Sequence, residues 1–328
     1  MTMGQTEKNN PFLDGALDPV LEQLEQQRLF IKRKYFHPLT ALFILAGIFL
    51  VMYLTRQNIK ILLAPAILSF LGGIVYTALA QKPLSEYKNA YKSEVIEGLI
   101  DRIHPGLSYQ PSLCIPESRF MASGLFLKTP DRYRGEDMVS GMVGKTQLTF
   151  SEIRAQYKTE TTDSRGNRHT QWHDIFRGIF IIADFNKPFK TRTLVLPDTA
   201  EKIFGSLFGN TLQKWNKGRG DLIKLENVEF EKEFVVYGQD QVESRYILTP
   251  DLMERILNFR HKTGKPVYIS FLDNSMFVAL SQTRDLFEPS MGRSLLDTAP
   301  LESYYEILKL VIGIVEDFNL NTRIWGKA

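Results

Sequence analysis

The stretch LTALFILAGIFLVMYLT, from Leu39 to Thr55, carries no charged side chain, and a second uncharged stretch, ILLAPAILSFLGGIVYTALA, runs from Ile61 to Ala80. As helices that rise about 1.5 Å per residue, they cover roughly 25–30 Å, close to the thickness of a bilayer's hydrocarbon core. Neither contains a central charge, which would cost about 2.5–3.5 kcal/mol on insertion. The sequence therefore predicts a hairpin of two transmembrane helices within residues 38–81. The alternative is a helical hairpin buried inside a soluble protein.

Small residues in the second stretch indicate where the two helices meet. Pro65, Gly72 and Gly73 would weaken a helix in water, but helices in lipid tolerate them, and small residues let two helices approach closely. We predict that Gly72 and Gly73 form a helix–helix contact, either inside the hairpin or between copies of the chain in a homo-oligomer.

Basic residues outside the hairpin outnumber those in its short connection, which holds Arg56 and Lys60. By the positive-inside rule, both termini should lie in the cytoplasm. A single cysteine, Cys114, in so large a remainder also favours a reducing compartment. The flanking basic residues are Arg28, Lys32, Arg33 and Lys34 before the first stretch, and Lys82, Lys88 and Lys92 after the second.

The residues before the hairpin divide into an arm and a helix. Residues 1–17 are polar and are expected to be disordered, and no signal peptide is recognised in them. Asp18 followed by Pro19 is a favourable helix start, which predicts a cytosolic helix over residues 18–37. Its apolar residues fall near a heptad spacing, so this helix either self-associates or lies as a polar helix at the membrane surface.

Residues 82–328 are predicted to form a soluble cytosolic α+β domain in which helices pack on a mixed sheet. The segment IFRGIFIIA, from Ile175 to Ala183, is apolar enough for a central strand that is covered on both faces. The predicted helices are Ser85–Ile103, Asp198–Trp215, Gln241–Leu248, Thr249–His261 and Leu301–Phe318. The predicted strands are Phe120–Leu127, Gln147–Ala155, Ile175–Phe185, Thr191–Leu196, Phe234–Tyr237, Val267–Leu272 and Met276–Leu280.

Three local patterns complete this expectation. Asp273-Asn274, between the last two apolar runs, favours a tight hairpin. The polar stretch TETTDSRGNRHTQWH, from Thr159 to His173, is typical of a long solvated loop. The acidic residues between Glu226 and Glu233 alternate with Phe230 and other residues, which indicates a strand with its charges in solvent.

Four stretches resemble a known family: SGLF from Ser123, GEDMVSGMVGKTQLTFSE from Gly135, IFRGIFIIADFNKPFKTRTLVLPD from Ile175 and VEFEKEFVVYGQDQVESRYILTPDLMERIL from Val228. They resemble the bacterial family of membrane proteins catalogued as domain of unknown function 3137. The resemblance extends from about Lys82 to Trp325. The resemblance implies a hairpin of two spans in the bacterial inner membrane, followed by one soluble domain. It implies no activity.

Reactive residue types occur without the spacing that catalysis or metal binding requires. Gly144-Lys145-Thr146 lacks the earlier glycine of a phosphate-binding loop and is better explained as a turn before a strand. His169, His173 and the adjoining Asp174 lie in a loop-like stretch rather than on a helix, which argues against a metal site. Cys114 has no neighbouring base and is expected to be a small buried hydrophobe. We therefore expect no catalytic residues, metal or cofactor.

One basic, aromatic segment is a candidate surface for lipid headgroups. Lys187, Lys190 and Arg192 alternate with Phe185 and Phe189, and each basic group near an anionic surface adds about 1 kcal/mol of attraction. The alternative is an ordinary hairpin turn at residues 186–188 with solvated lysines.

These features favour a non-enzymatic binding or scaffolding module at the inner membrane, with the lipid bilayer and a cytosolic or membrane protein as partners. The alternative is a membrane-anchored enzyme whose site forms only in the fold. A transporter is disfavoured because neither span carries a charge. Nucleic acid is an unexpected partner, since 40 basic and 37 acidic residues nearly balance and no run of five basic residues occurs.

Overall fold

The structure is a computed structural model that describes residues 17–55, 62–164, 166–198, 220–283, 285–318 and 320, with only the backbone described for residues 186–188. The chain divides into two compact units. The helical unit comprises the residues up to Arg102 together with Phe287–Tyr305. The sheet unit comprises Ile103–Leu286 and the residues from Glu306 onward. The predicted boundary at residue 82 does not coincide with this division, because residues 82–102 continue a long helix.

Two long helices, each with a short π-helical segment, build the helical unit, and each is long and apolar enough to cross a membrane. The first begins at Asp18, as predicted, and the second ends before Pro105 and Gly106, where proline and glycine stop it. The first comprises α1 (Asp18–Ile31), the π-helical residues Lys32–Phe36 and α2 (His37–Thr55). The second comprises α3 (Leu63–Tyr91), the π-helical residues Lys92–Ile96 and α4 (Glu97–Ile103).

The sheet unit is built on seven described strands, which with helices give an α+β fold. Their order is β1-β2-β3-β4-β6-β5, and β7 also pairs with β4. The strands are β1 (Leu107–Gln110), β2 (Arg132–Val143), β3 (Thr146–Thr162), β4 (Arg168–Pro197), β5 (Asp221–Ile223), β6 (Phe234–Gly238) and β7 (Val267–Ser281). The shorter helices are α5 (Glu117–Ala122), α6 (Val228–Glu233), α7 (Gln241–Ile247), α8 (Pro250–Thr263), α9 (Ala299–Ile312) and α10 (Ile314–Asp317).

Every described strand pair is antiparallel, so the prediction of a mixed sheet is wrong. The reason lies in the connections. Gly144 and Lys145 join β2 to β3, and residues 163–167 join β3 to β4. Such short links join only antiparallel strands, because a parallel pair needs a crossover of about a dozen residues or more.

Strand β4 organises the sheet because it pairs with three other strands. Its first half pairs with β3, its end pairs with β6, and β7 follows it from Gly178 to Val195. Ile179, Phe180 and Ile181 are consecutive and all buried, so both faces of the strand are covered there, as predicted.

An aromatic cluster forms the centre of the core. Phe120 of α5 stacks on Phe126 with ring centroids 5.0 Å apart, and it also contacts Tyr133, Phe176 and Phe180 at 5.2–6.0 Å. Such pairs stabilise a fold beyond the burial of their area. The predicted strand Phe120–Leu127 is wrong, because α5 carries Phe120 and ends at Ala122, and the loop that follows brings Phe126 into the core.

The predicted hairpin at Asp273-Asn274 is wrong, because β7 runs unbroken from Val267 to Ser281. Asp273 adopts a positive φ of 56° and lies opposite Phe189, where the register of β4 also shifts. Aspartate tolerates this conformation better than most residues. Matched irregularities in the two strands therefore let both continue, and residues 186–188 belong to β4 rather than to a turn.

Two further expectations fail because the surroundings override the local pattern. Residues 159–162 and 168–173 extend β3 and β4 instead of forming a loop, since a two-stranded ribbon can be polar on both faces. Residues 228–233 form α6, not a strand, because the Asn227 side chain caps the helix by accepting a hydrogen bond from Phe230 N at 3.0 Å. The predicted helix Asp198–Trp215 falls almost wholly outside the described residues.

The predicted helices after β6 are confirmed by their caps. Asp240 accepts hydrogen bonds from Val242 N and Glu243 N at the start of α7. Thr249 caps α8, and Gly264 follows its end with a left-handed φ of 61°. The last predicted helix is divided at Gly313 into α9 and α10.

Candidate functional site

The outer surface of α2 and α3 is the largest exposed apolar surface among the described residues. Sixteen large apolar side chains of these helices are exposed. Monomeric soluble proteins rarely expose so continuous an apolar surface. These side chains are Phe43, Ile44, Leu45, Ile48, Leu50, Val51, Met52 and Leu54 on α2, and Leu63, Ile67, Leu68, Phe70, Leu71, Ile74, Val75 and Leu79 on α3.

Small residues occupy the contact between the same two helices. The buried residues of α2 and of α3 up to residue 80 are all small: Ala46, Ala66, Ser69, Gly73 and Ala80. This arrangement is the reverse of a soluble core, in which large apolar side chains face inward. It is the arrangement found where helices pack against each other in lipid.

The two predicted contact glycines both face α2. A β-carbon added at Gly72 would lie 3.5 Å from Leu42, and one added at Gly73 would lie 3.0 Å from the ring of Phe43. The Phe43 ring also packs edge-on against Phe70, with centroids 5.9 Å apart. The structure thus places Gly72 and Gly73 inside the hairpin, and association between copies of the chain stays a prediction.

Enlarging Gly73 should disrupt this contact. We expect Gly73→Leu to destabilise the helical unit by about 1–3 kcal/mol, because the leucine must displace the Phe43 ring. The measurement is thermal unfolding of the full chain in detergent, followed by circular dichroism. Gly47→Leu is the matched control, because a β-carbon at Gly47 meets no described atom within 4 Å. Equal unfolding temperatures for the two variants would show that Gly73 is not a packing contact.

A buried ion pair attaches the strap, which we define as Phe287–Tyr305, to α1. Arg28 contacts the Glu25 carboxylate through two hydrogen bonds of 2.8 and 2.6 Å. Glu25 also accepts a hydrogen bond from Leu295 N at 2.9 Å, and Arg28 donates one to Met291 O at 2.9 Å. The Arg28 hydrogen bond is the largest of the interactions that lower the pKa of Glu25 to about 2. Both ends of this pair therefore hold the strap.

A second ionic contact attaches the beginning of the strap to the long second helix. The Glu288 carboxylate forms ion pairs with Lys88 Nζ at 2.7 Å and with Lys92 Nζ at 3.0 Å. Tyr87 and Tyr91 are buried nearby on the same helix, and burial raises the pKa of both phenols. Among the seven basic residues that flank the hairpin in sequence, Arg28, Lys88 and Lys92 therefore contact the carboxylates that hold the strap.

The predicted headgroup residues do not form one surface patch. Phe189 is buried, with its ring 5.2 Å from Phe185 and 5.9 Å from Phe271. Lys190 is exposed, whereas the Arg192 guanidinium lies against Gly124 and donates to Ala122 O at 3.3 Å. The Lys187 side chain lies outside the described residues. Headgroup binding by this segment stays a prediction, and the aromatic ring that motivated it packs in the core.

The other reactive residue types have structural partners. Gly144 has a left-handed φ of 62° in the turn before β3. His173 stacks on Tyr157 and lies 2.9 Å from the Thr159 hydroxyl, while Asp174 accepts a hydrogen bond from Arg154. Burial raises the pKa of the Cys114 thiol, which disfavours the reactive thiolate. Within the described ranges, no group of three His, Cys, Asp or Glu side chains could hold a metal ion.

Sequence reasoning missed a buried carboxylate in β3. Glu152 is 7% exposed, and it accepts a hydrogen bond from Leu286 N at 2.8 Å. The pKa of Glu152 is raised to about 8, mainly by burial and to a smaller extent by the nearby Asp285 and Asp137. Asp137 is itself buried at a bulge of β2, with a φ of 60°, and accepts a hydrogen bond from Tyr109. The alternation of β3 does not reveal Glu152, because residues 150–153 are all buried.

Glu152 should make the stability of the sheet unit depend on pH. The protonated carboxyl contributes stability that is fully present below pH 4.5 and is lost as pH rises to about 8. Between these values, wild type should lose up to about 1.4 kcal/mol per pH unit relative to Glu152→Gln. Denaturant unfolding of the full chain in detergent at pH 5, 6, 7 and 8 measures this difference. Glu160→Gln, on the exposed part of β3, is the control and should parallel wild type. Parallel curves for Glu152→Gln and wild type would contradict a buried protonated Glu152.

The ends of β3 and β4 extend as a two-stranded arm, which we define as residues 157–173. Its strands pair with each other, while β2 reaches only Gln156 and β7 begins to pair at Gly178. Cationic side chains from outside the arm cover two of its aromatic rings. Lys128 Nζ lies 3.2 Å from the ring centroid of Tyr157, and the Arg132 guanidinium lies 3.9 Å from that of the half-exposed Trp172.

An open cleft of about 500 Å³ lies along α8 and α10. Its basic side chains are paired with carboxylates: Lys262 contacts Asp317 at 2.8 Å, and Arg255 contacts Asp251 at 2.8 Å. The lining residues are Arg255, Asn258, Phe259, His261, Lys262, Glu316 and Asp317. The cleft therefore presents little unbalanced charge to a ligand.

Comparison with known proteins gives one match. Residues 174–320 match the family described as protein of unknown function DUF3137. The match includes the stretches from Ile175 and Val228 that carried the resemblance, and it leaves out those from Ser123 and Gly135. No curated protein and no solved structure matches the chain.

Proposed function

We propose that this chain, which belongs through residues 174–320 to the DUF3137 family of unknown function, is a membrane-anchored binding protein. In this proposal α2 and α3 span an inner membrane with both termini in the cytoplasm. The sheet unit binds a protein partner without catalysing a reaction. The hairpin thereby fixes the binding event at the membrane.

The observation that supports membrane anchoring is the reversed packing of the hairpin. The buried residues of the two spans are small, while sixteen large apolar side chains remain exposed. Two of the sixteen, Phe43 and Phe70, also contact each other between the helices. In water this surface would remain hydrated at a cost of about 25 cal/mol per Å². In a bilayer the same side chains would be in contact with lipid, which removes that cost.

Charges at the centre of this surface should prevent insertion. Ile48 and Leu71 are both about half exposed and lie near the middle of their spans. We expect Ile48→Arg combined with Leu71→Arg to cost about 5–7 kcal/mol of insertion free energy, at 2.5–3.5 kcal/mol for each central arginine. The fraction of the protein that resists alkaline carbonate extraction should therefore fall sharply.

The matched control is Val228→Arg combined with Val242→Arg, at two exposed valines of the sheet unit. Exposed surface substitutions in water change stability by only about 0.5 kcal/mol or less, so this control should remain in the membrane pellet. If the hairpin variant behaves like the control, α2 and α3 face water and the anchoring proposal fails.

The arm supports a protein as the partner of the sheet unit. Among the described residues no third strand pairs with the arm, although Lys158 N donates to the Asp131 carboxylate at 2.8 Å, so its outer edges offer other backbone donors and acceptors to an extended segment. Trp172, which is 38% exposed, and Arg132 belong to the residue types that contribute most to interface affinity, whereas Tyr157 is buried. Contacts with the two cations also hold the rings in place before binding, which reduces the entropy lost on association.

Crosslinking in intact cells tests the arm as the binding surface. A photoreactive residue in place of Trp172 should yield a discrete crosslinked species, and one in place of the exposed Lys224 on the same unit should not. Arg132→Gln, combined with the photoreactive residue at position 172, should weaken the crosslink, because Arg132 packs against the side chain at that position and holds it in place. Equal crosslinking from positions 172 and 224 would remove the arm as a specific surface.

A membrane-anchored enzyme is the second candidate, and Glu152 is the observation that favours it. Carboxyl groups with a pKa raised to about 8 serve as general acids or bases in active sites. Glu152, however, is almost fully buried and its Oε2 already accepts a hydrogen bond from Leu286. A general base must reach a substrate proton, so we assign Glu152 to holding the end of the β7–strap connection.

A further inference from the structure

We propose that the helical unit binds anionic phospholipid headgroups through a basic collar formed by Lys32, Arg33, Lys34 and Lys82. This inference rests on the proposed membrane anchoring and assigns a lipid class to it. Arg33 and Lys34 are exposed, and the side chain of Lys82 is 87% exposed.

The contacts of the hairpin place these residues at one level. Gly73 lies beside Phe43, and Arg28 interacts with Tyr87, so the two long helices run in opposite directions. Five residues forward from Arg28 is Arg33, and five residues back from Tyr87 is Lys82. The two helices rise by similar amounts over these five residues, although Lys32 and Arg33 are π-helical, so Arg33 and Lys82 lie at nearly the same level.

That level is one end of the apolar hairpin surface. The uncharged part of the first helix starts after His37, and that of the second ends at Ala80. Charged groups a turn beyond a hydrocarbon span lie where phosphate headgroups lie, since long basic side chains extend toward the interface. The collar is thus in register with the headgroups of one leaflet.

Aromatic rings within the collar fit the same location. Lys34 Nζ lies 5.2 Å from the ring centroid of Phe30 and 5.4 Å from that of Tyr35. Phe30 is 59% exposed although it precedes the uncharged stretch. Exposed aromatic rings beside lysine are typical of the interfacial belt of membrane proteins.

The collar residues keep a positive charge that is not neutralised, unlike the basic residues next to them. Arg28 is neutralised by Glu25, and Lys88 and Lys92 share Glu288. In the collar, the carboxylate that contacts a basic group is Glu86, which lies 3.9 Å from Lys82 with both side chains mostly exposed. Water screens so exposed a pair, and the collar keeps a net positive charge.

The test uses the full chain in proteoliposomes of phosphatidylcholine with spin-labelled phosphatidylglycerol or spin-labelled phosphatidylcholine as the probe. The ratio of their association constants at the protein surface is measured by electron spin resonance. We expect wild type to prefer phosphatidylglycerol at least about fivefold, the effect of one basic residue near an anionic surface. Raising the salt concentration should reduce the preference, because exposed charges are screened.

The variant Lys32→Gln, Arg33→Gln, Lys34→Gln and Lys82→Gln should lose the preference. The matched control removes four basic residues from the sheet unit, Lys158, Lys224, Lys232 and Lys262, each changed to Gln, and should keep it. Lys82→Gln alone should reduce the preference and leaves the packed helices untouched. If the collar variant keeps the wild-type preference, or the control loses it equally, the proposal is wrong.

Two further outcomes separate the possible causes. If inorganic phosphate abolishes the preference and chloride at equal ionic strength does not, the ligand is free phosphate rather than lipid, and the proposal is overturned. If carbonate releases the protein from the vesicles, membrane anchoring itself fails. If the protein stays in the membrane without any lipid preference, only the collar proposal fails.

Discussion

The close approach of α2 and α3 along small residues is the constraint on which the account of this protein depends. The buried residues of the two spans, such as Ala46 and Gly73, are small, and Gly73 leaves room for the Phe43 ring of α2 to pack against α3. Sixteen large apolar side chains of the two spans remain exposed, and they form an apolar surface about as long as a bilayer is thick. In the function that we propose, lipid covers this surface, and the sheet unit therefore acts at a membrane.

A second part of the chain, far from the hairpin in sequence, also belongs to the helical unit. It leaves the helical unit after Arg102 and returns to it from Phe287 to Tyr305. The return segment is fixed by the buried pair of Glu25 and Arg28 and by Glu288 with Lys88 and Lys92. A buried charge without its partner is strongly destabilising, so displacing the strap from these partners would cost free energy. The chain consequently passes between the helical unit and the sheet unit after Arg102, before Phe287 and after Tyr305.

The sequence predicts those parts of the fold that local chemistry determines. The long uncharged stretches, the Asp18-Pro19 start and the caps of α7 and α8 each depend on residues within a few positions of one another. The sequence-based prediction is wrong where the local structure depends on residues that are distant along the chain. Asp273 continues a strand because β4 has an irregularity opposite it, and residues 159–173 form strands because they pair with each other. Phe120 and Phe126 enter the core from a helix and a loop, so their spacing carries no strand period.

The candidate sites follow the same division. Gly72 and Gly73 could be identified because a helix contact in lipid requires small residues, and the structure places both against α2. Glu152 could not be identified, because its burial depends on elements more than a hundred residues apart in the chain, such as Leu286. The four collar residues are among the seven flanking basic residues from which the membrane orientation was predicted. Only the side-chain contacts separate the residues that hold the strap, such as Arg28, from those that face outward, such as Arg33.

The central claim is that the hairpin spans a membrane and keeps the rest of the chain on the side of the termini. The most direct test is protease digestion of a C-terminal tag in sealed spheroplasts and in lysed ones. The account predicts that the tag is protected in sealed spheroplasts and is digested after lysis. Digestion of the tag in sealed spheroplasts would contradict the proposed orientation, and recovery of the intact protein in the soluble fraction after lysis would contradict the membrane span.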